Sequence, residues 1–447
     1  MERIDLLISA KYVLPMEDET ILFEAGVAIK GENIIAVAPI KELLKKFIPL
    51  KHLHYEDGLI LPGLINGHTH IAMTLFRGIA DDLPLIDWLT KYIFPLEKQL
   101  KPEWVYWGAL LGCAEMIFSG ITCFCDMYLF ADMVAKATQK AGLRAIIGEV
   151  LYDFPSPNYG PLEQGFLYTK RLIKKWQSHP LISIAIMPHA TYTCSPFLLK
   201  KAKEIAEEYQ VPYVIHLAET KDEVEKIKQK YGCTPIKHLA KLGILNEHLI
   251  AAHCVWLTDE DIKLLKKYHV KVIHNPESNL KLASGIAPIP KLLAEGVTLG
   301  LGTDGPASNN DLDLFSEMST AARIHKFNQG DPTVVSAWEI LKMATKEGAN
   351  ALGISKIGSL APGKKADLIV IDLNQPHLMP VYNLVSHLVY AASSNDILTT
   401  IVNGKVLMEN KKLLTLDLEE IYGHIKDLTK DKFMVLKPYY EKGNNDS

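Results

Sequence analysis

His68 and His70 close the run Pro62-Gly63-Leu64-Ile65-Asn66-Gly67-His68-Thr69-His70 as a His-x-His pair. Alternate side chains of a strand share a face, so such a pair can offer two imidazoles to one metal ion. His189, His216, His253, His274 and Asp304 stand in the same way at the ends of other short apolar stretches, and Glu219 follows three residues after His216. Any one of these histidines alone reads more simply as a hydrogen-bonded core residue. Their recurrence at the ends of successive apolar runs does not, and a catalytic zinc takes three or more nitrogen and oxygen ligands while keeping a position open for water. His68, His70, His216 and Asp304 supply that set. One divalent cation held there would acidify its water and make a nucleophile at neutral pH, so the chemistry is hydrolysis. Such ligands suit Zn2+ first, and iron, manganese or nickel as well.

Cysteine offers no second site. Six cysteines are spread along the chain without the spacing of a disulfide framework, which predicts reduced thiols. Cys123 and Cys125 lie two apart in Ile121-Thr122-Cys123-Phe124-Cys125-Asp126, a strand-like run in which small buried side chains are the simpler reading.

The elements that must position these residues follow from hydrophobic pattern. Between residues 58 and 358, short apolar runs alternate with amphipathic segments, the rhythm of parallel βα units. The expected strands are Leu59 to Ile65, Ile121 to Asp126, Arg144 to Val150, Ile182 to Pro188, Tyr213 to Leu217, Leu249 to His253, Lys271 to His274 and Thr298 to Gly302. That is the count of a (β/α)8 TIM-type barrel, in which reactive groups sit at the C-terminal ends of strands. Pro196 to Tyr209 and Thr258 to Tyr268 read as outer helices, the second opened by a capping Thr. The flanks are β-type: Phe23 to Ile29, Ile34 to Val37, Ala366 to Asp372, and Ile401 to Leu407 around an Asn403-Gly404 turn. Residues 1–57 and 359–447 are therefore expected to form one composite β-sandwich that the barrel of residues 58–358 interrupts. A helix from Leu416 to Lys442 is expected to follow, with Gly443 to Ser447 frayed.

Composition narrows the partners. At 447 residues the chain exceeds a usual single core, consistent with a large domain and a smaller one. Hydrophobic residues make up 48% and charged residues 22%, and a net charge of -4 without a block of like charge argues against a nucleic-acid partner. The start, Met1 to Ile8, places charges inside what would have to be a signal-peptide core, and no apolar run reaches the length of a membrane span. A cytoplasmic protein acting on a small molecule, without a membrane partner, is the expectation. A homo-oligomer is left open.

Together these residues resemble a family. The Pro62 to His70 run, His216-Leu217-Ala218-Glu219, His253 and Gly302-Thr303-Asp304-Gly305 resemble the amidohydrolase superfamily, as does Gly358 to Leu368 its returning β motif. Within it, Thr74 to Gly78, Phe94-Pro95-Leu96-Glu97, His274 to Asn279 and Asp304 to Asn310 are similar to the 5-methylthioadenosine/S-adenosylhomocysteine deaminases. The resemblance implies hydrolytic deamination of an adenosine-type nucleoside. Asp304 would take a proton from the attacking water, His253 would orient that water toward C6, and Glu219 would protonate N1. It also implies that Glu97 binds the ribose hydroxyls and His189 touches the purine. Some superfamily members carry a carbamylated lysine on the fourth strand that bridges two metals; Ile182 to His189 has no lysine, which implies a single ion.

Plainer readings stand beside these. Glu219 could be a surface glutamate before the helix that opens at Thr220, Glu97 an ordinary charge in the turn Leu96 to Leu100, and His274 a structural residue, the reading favoured for it. Other functions also fit the metal residues: a deaminase or chlorohydrolase acting on guanine, cytosine or a triazine, or a non-catalytic scaffold that keeps the barrel. One departure concerns the substrate tail. Relatives that handle S-adenosylhomocysteine use basic residues after the third strand, and Glu149 to Tyr159 contains no Arg or Lys. Substrates with uncharged tails are expected to react at least as well.

Overall fold

The structure, a computed structural model, describes residues 1–79 and 81–432. In chain order its strands are β1 (Glu2–Val13), β2 (Leu22–Lys30), β3 (Asn33–Pro39), β4 (Phe47–Pro62), β5 (Leu64–Thr69), β6 (Ile121–Tyr128), β7 (Arg144–Leu151), β8 (Ile182–Ile184) and β9 (Met187–Pro188). They continue as β10 (Tyr213–Leu217), β11 (Leu249–His253), β12 (Lys271–His274), β13 (Leu299–Leu301), β14 (Leu368–Asp372), β15 (Ile397–Val402), β16 (Lys405–Glu409) and β17 (Lys412–Leu413).

Strands β5 to β13 are the barrel. They form two parallel sheets, β5-β6-β7-β8 with β9 also on β7, and β10-β11-β12-β13. Backbone bridges close both seams: Ile186 with Tyr213 and Ala190 with His216 on one side, Thr69 with Asp304 on the other. At the second seam Asn66 donates to Thr303 Oγ1 at 2.8 Å and accepts from the Thr303 amide at 3.1 Å. A buried amide that fills both roles fixes the register there. The outer helices follow their apolar stripe. Pro196–Tyr209 buries Leu198, Leu199, Ala202, Ile205 and Ala206 and is capped by Ser195, and Asp259–Lys267 starts in a capping box between Thr258 and Asp261.

The chain ends build one eight-stranded sheet in the order β17-β16-β15-β14-β4-β1-β2-β3. It curls so that its hairpin turns meet, Asn403 between β15 and β16 donating to Glu32 Oε2 between β2 and β3 at 3.0 Å. Leu6, Ile8, Val27, Ile60, Leu368 and Ile401 meet in the core between. Asn403 and Gly404 both adopt positive φ, 53° and 77°, the geometry of the two-residue hairpin anticipated from that dipeptide.

Two expectations need correction. The run from Leu59 to Ile65 is not one strand: Leu59 to Pro62 belongs to β4 and pairs with β14 in the terminal sheet, and the barrel begins at Leu64. Gly63 makes the change of direction, because a Cβ there would run into the Thr122 side chain on β6. The fourth barrel strand is likewise divided into β8 and β9. Beyond these, the start of the chain, Met1 to Ile8, whose charges had drawn attention, lies largely in the twelve-residue strand Glu2–Val13, in which Leu7, Ile8 and Ala10 are fully buried. The C-terminal helix is seen over Leu418–Lys432; the remainder of the expected helix and the end expected to fray lie outside the described residues. No described helix is long and apolar enough to cross a membrane.

Candidate active site

At the C-terminal end of the barrel the strand ends bring one group of side chains together. His68 lies on β5 with His70 just beyond it, His216 on β10, His253 at the end of β11, and Asp304 after β13. Single ligand atoms of His68, His216, His253 and Asp304 all lie within 4.8 Å of one another. His70 Nε2 joins them, 3.1 Å from Asp304 Oδ1 and 3.3 Å from His216 Nε2. Five groups thus converge: the four expected ligands, and His253, which had been expected to orient water. The backbone bends to deliver them. His253 and Asp304 have φ of 71° and 58°, and Ala218, just before Glu219, has 51°. Non-glycine residues in this left-handed region carry strain, which clusters at functional sites.

Outer contacts orient the rings and the acid. His70 Nδ1 meets the Met127 carbonyl, His216 Nδ1 lies 2.7 Å from the His189 carbonyl, and His253 Nδ1 2.9 Å from Asn279 Oδ1. A carbonyl on Nδ1 requires the proton there and leaves Nε2 free to bind a cation. Asp304 Oδ2 accepts hydrogen bonds from Ser278 at 2.6 Å and Ser308 at 2.9 Å, leaving Oδ1 toward the histidines. Ser278, Asn279 and Ser308 were not singled out in the sequence, although all lie inside quoted motifs.

Burial sets the charge of the group. It pushes His68 down to about 4 and His216 well below the usual imidazole range, so both are neutral at pH 7 with a lone pair to give. It also works against charge on Asp304 and His70, but their mutual contact prevails. The imidazoles of His68 and His70 hold Asp304 well below the usual carboxylate range, and Asp304 raises His70 to about 9. A divalent cation would displace that proton. The residues fit such an ion: His68 is fully buried, and neither of its ring nitrogens has a hydrogen-bond partner among the described residues. A buried donor or acceptor left unpaired costs roughly 1–3 kcal/mol, so a ring whose Nε2 comes only to 3.5 Å of Asp304 Oδ1 is arranged for a further partner.

Beside this cluster opens a cavity of about 660 Å³, counting the space at its mouth. His70, His216, His253 and Asp304 line it, and so do Glu97, His189 and Glu219. That volume suits a small-molecule ligand. Burial raises the Glu219 carboxyl above its usual range and pushes Glu97 up to about 7, against the opposing influence of the Tyr128 phenol. His189 is pushed down to about 3 by burial and has Nδ1 2.8 Å from Thr193 Oγ1, so it is a neutral ring held in place. His274 is not in the cavity. Its Nε2 pairs with His325 Nε2 at 3.0 Å in the protein interior, in keeping with a structural role. All six cysteines are buried and unbridged.

Part of the lining is apolar: Leu85, Trp88, Leu89, Ile93 and Phe94, joined to Tyr152 through the Phe154 ring that stacks on it. These residues come from consecutive short helical turns, Leu85–Trp88, a π turn at Leu89–Ile93 and Phe94–Glu97. The segment also carries Glu97, and its irregular pitch gave no periodic signal in the sequence.

A sequence model described as the amidohydrolase family matches residues 59–407. A 5-methylthioadenosine/S-adenosylhomocysteine deaminase from Syntrophobacter fumaroxidans is 53% identical over 426 residues, covering 95% of this chain and 97% of the relative. An adenosine deaminase from Xanthomonas campestris, solved with bound zinc, superposes with a TM-score of 0.94 at 39% identity, covering 95% of this chain and 98% of that one. An atrazine chlorohydrolase from Arthrobacter aurescens in complex with zinc gives 0.88 at 25% identity, with 95% and 99% covered.

Proposed function

Because the chain belongs to the amidohydrolase family, we propose that it deaminates adenosine-type nucleosides of the 5'-methylthioadenosine and S-adenosylhomocysteine class. The products are the inosine analogue and ammonia. His68, His70, His216 and Asp304 would hold one divalent cation, zinc, with His253 converging on the same point. The observation that carries this reading is one cavity lined by the neutral imidazoles of His189 and His216, the ionised Asp304 and the raised-pKa Glu219. Relatives bearing these activities in their names, at 53% and 39% identity, support the substrate class.

When bound, the cation lowers the pKa of water toward neutrality. Asp304 Oδ1 receives the proton that the attacking water gives up, while Ser278 and Ser308 keep Oδ2 occupied and the carboxylate from rotating. His253, fixed by Asn279, directs the water at C6. Glu219 enters protonated, as its burial favours, and gives that proton to N1 as the ring loses aromaticity. The proton held by Asp304 passes to the departing amine. Ammonia leaves, the C6 hydroxyl gives up its proton, which restores Glu219, and a keto oxygen remains at C6 beside the protonated N1.

Glu97 accepts hydrogen bonds from the 2' and 3' hydroxyls, and His189 contacts the purine from a fixed orientation. The wall from Leu85 to Phe94 then receives the 5' substituent. Among the described residues no Lys or Arg lines the cavity, so a thioether methyl or a plain hydroxyl fits this wall at least as well as an ionised amino acid. The enzyme works in the cytoplasm, a reducing compartment suited to six unbridged thiols.

The test is ammonia release and ultraviolet spectra over a panel of 5'-methylthioadenosine, adenosine and S-adenosylhomocysteine, with guanine, cytosine and a chlorotriazine alongside. Turnover of the first two with kcat/KM at least equal to that of the third is expected. Turnover of guanine, cytosine or the triazine alone would replace the reading, and a strong preference for S-adenosylhomocysteine would overturn its tail specificity.

A further inference from the structure

Glu223 is a buried acid that the chemistry above does not use. It lies in the first turn of the helix Lys221–Tyr231, where an acid is ordinarily a solvated partner of the helix dipole, yet its exposure is only 2%. Among the described residues no Lys or Arg pairs with it. Its two oxygens instead reach two different loops of the barrel mouth. Oε2 accepts the backbone N–H of Glu219 at 2.8 Å, and Oε1 accepts the Thr191 hydroxyl at 2.7 Å.

Each of those loops presents a cavity residue. The Glu219 amide follows Ala218, whose positive φ turns it away from the strand ladder, so without Glu223 it would be a buried donor with nothing to bond. Thr191 sits between His189 and Tyr192, both in the cavity lining, and Thr193 returns to hold His189 Nδ1. One carboxylate therefore spans the segment expected to touch the purine and the residue expected to protonate it. A brace at this point sets the distance between N1 of a bound ring and the Glu219 carboxyl.

Resting on the proposed deamination, we propose that Glu223 is a positioning residue of the reaction: it locks Glu219 against the 189–193 segment so that proton transfer to N1 occurs from a fixed geometry. Misplacement of a catalytic group by an ångström costs on the order of 10²-fold in rate. Gln is the informative conservative change. Its amide oxygen can accept from the Glu219 N–H while its NH2 donates to the Thr191 hydroxyl, so both links survive without the charge.

The experiment compares the zinc-loaded full-length protein with its Glu223→Gln, Glu223→Leu and Thr191→Val variants. Steady-state kinetics with 5'-methylthioadenosine, zinc content, and amide hydrogen exchange of the peptide spanning residues 217–223 are measured. Glu223→Leu should lower kcat by about 10²-fold with KM and zinc content near those of the parent, and should speed exchange in that peptide by more than about tenfold. Glu223→Gln should stay within about fivefold of the parent in both. Thr191→Val, which removes one link and leaves the other, should fall between, and it carries the kinetic test if the Leu variant does not fold. Parent turnover of the nucleoside scores the deaminase reading separately, since amide exchange needs no substrate. Unchanged exchange in the Leu or Val variant overturns the brace. Loss of kcat, KM and zinc together, without recovery in Gln, reduces Glu223 to a structural residue.

Discussion

The two ends of the barrel treat buried charge in opposite ways. At the N-terminal end Arg144, opening β7, makes a two-point contact with Asp367 at 2.7 and 3.1 Å. Two further donors go to the Pro180 carbonyl and Asn403 Oδ1, both at 3.2 Å, and Asp367 also accepts the Asn403 amide at 2.7 Å. Each charge there has a protein partner, and the network ties the barrel to the terminal sheet. At the C-terminal end the His68 ring has no close hydrogen-bond partner among the described residues, its Nε2 standing 3.5 Å from Asp304 Oδ1, and Glu219 and Glu97 are pushed toward their neutral forms. A saturated charge network holds a fold together; an unsaturated one awaits a ligand.

Substitutions can break this contrast at either end. Asp304→Asn removes the cation's acid and the proton acceptor together and is expected to cut kcat/KM by at least about 10⁴-fold while circular dichroism stays that of the folded parent. Glu219→Gln leaves the cation in place and removes the proton donor, so kcat should fall by about 10²–10⁴-fold with zinc content unchanged. At the opposite end Arg144→Met strands Asp367 as an unpaired buried charge. Urea denaturation should show a loss of about 3–5 kcal/mol, while kcat per folded molecule stays at the parent value. Equal damage to activity from Arg144→Met and Glu219→Gln would erase the distinction between the two ends.

The smallest effect expected is one of pH on binding. Burial places Glu97 at about 7, so it is mostly neutral at pH 6 and mostly ionised at pH 8. Only the ionised carboxylate accepts from both ribose hydroxyls, so KM for a nucleoside should fall as pH rises through 7, by up to about tenfold between those limits. Glu97→Gln should flatten the dependence. The same shift bears on stability with the opposite sign. Below about 4.5 Glu97 is neutral in both states, and between there and 7 the folded chain binds the extra proton, so its contribution weakens as pH rises across that window.

Much of the barrel was legible because an apolar run that stops at a His or Asp is a strong local signal. β10, β11 and β12 have the bounds expected for them. The break at Gly63 was not, since Leu59 to Ile65 is continuously apolar and only the Thr122 side chain, far off in sequence, forbids a Cβ there. Of the site, the residues at strand ends could be named. The acids that brace loops could not: Glu223 and Glu317 read locally as first-turn helix charges, yet Glu317 is fully buried and accepts the Glu277 amide and the Asn309 side chain. Burial of an acid without a cation depends on which loops meet above it, which no local pattern carries. The apolar wall escaped for a similar reason, because the π turn Leu89–Ile93 breaks the helical period.

Metal stoichiometry tests the central claim most directly. The chain, its His68→Ala variant and its Arg144→Met variant are loaded with zinc, desalted and analysed for zinc per chain. One equivalent in the parent, one in folded Arg144→Met and almost none in His68→Ala is the predicted result. Full retention by His68→Ala, or no zinc in an intact parent, would contradict it.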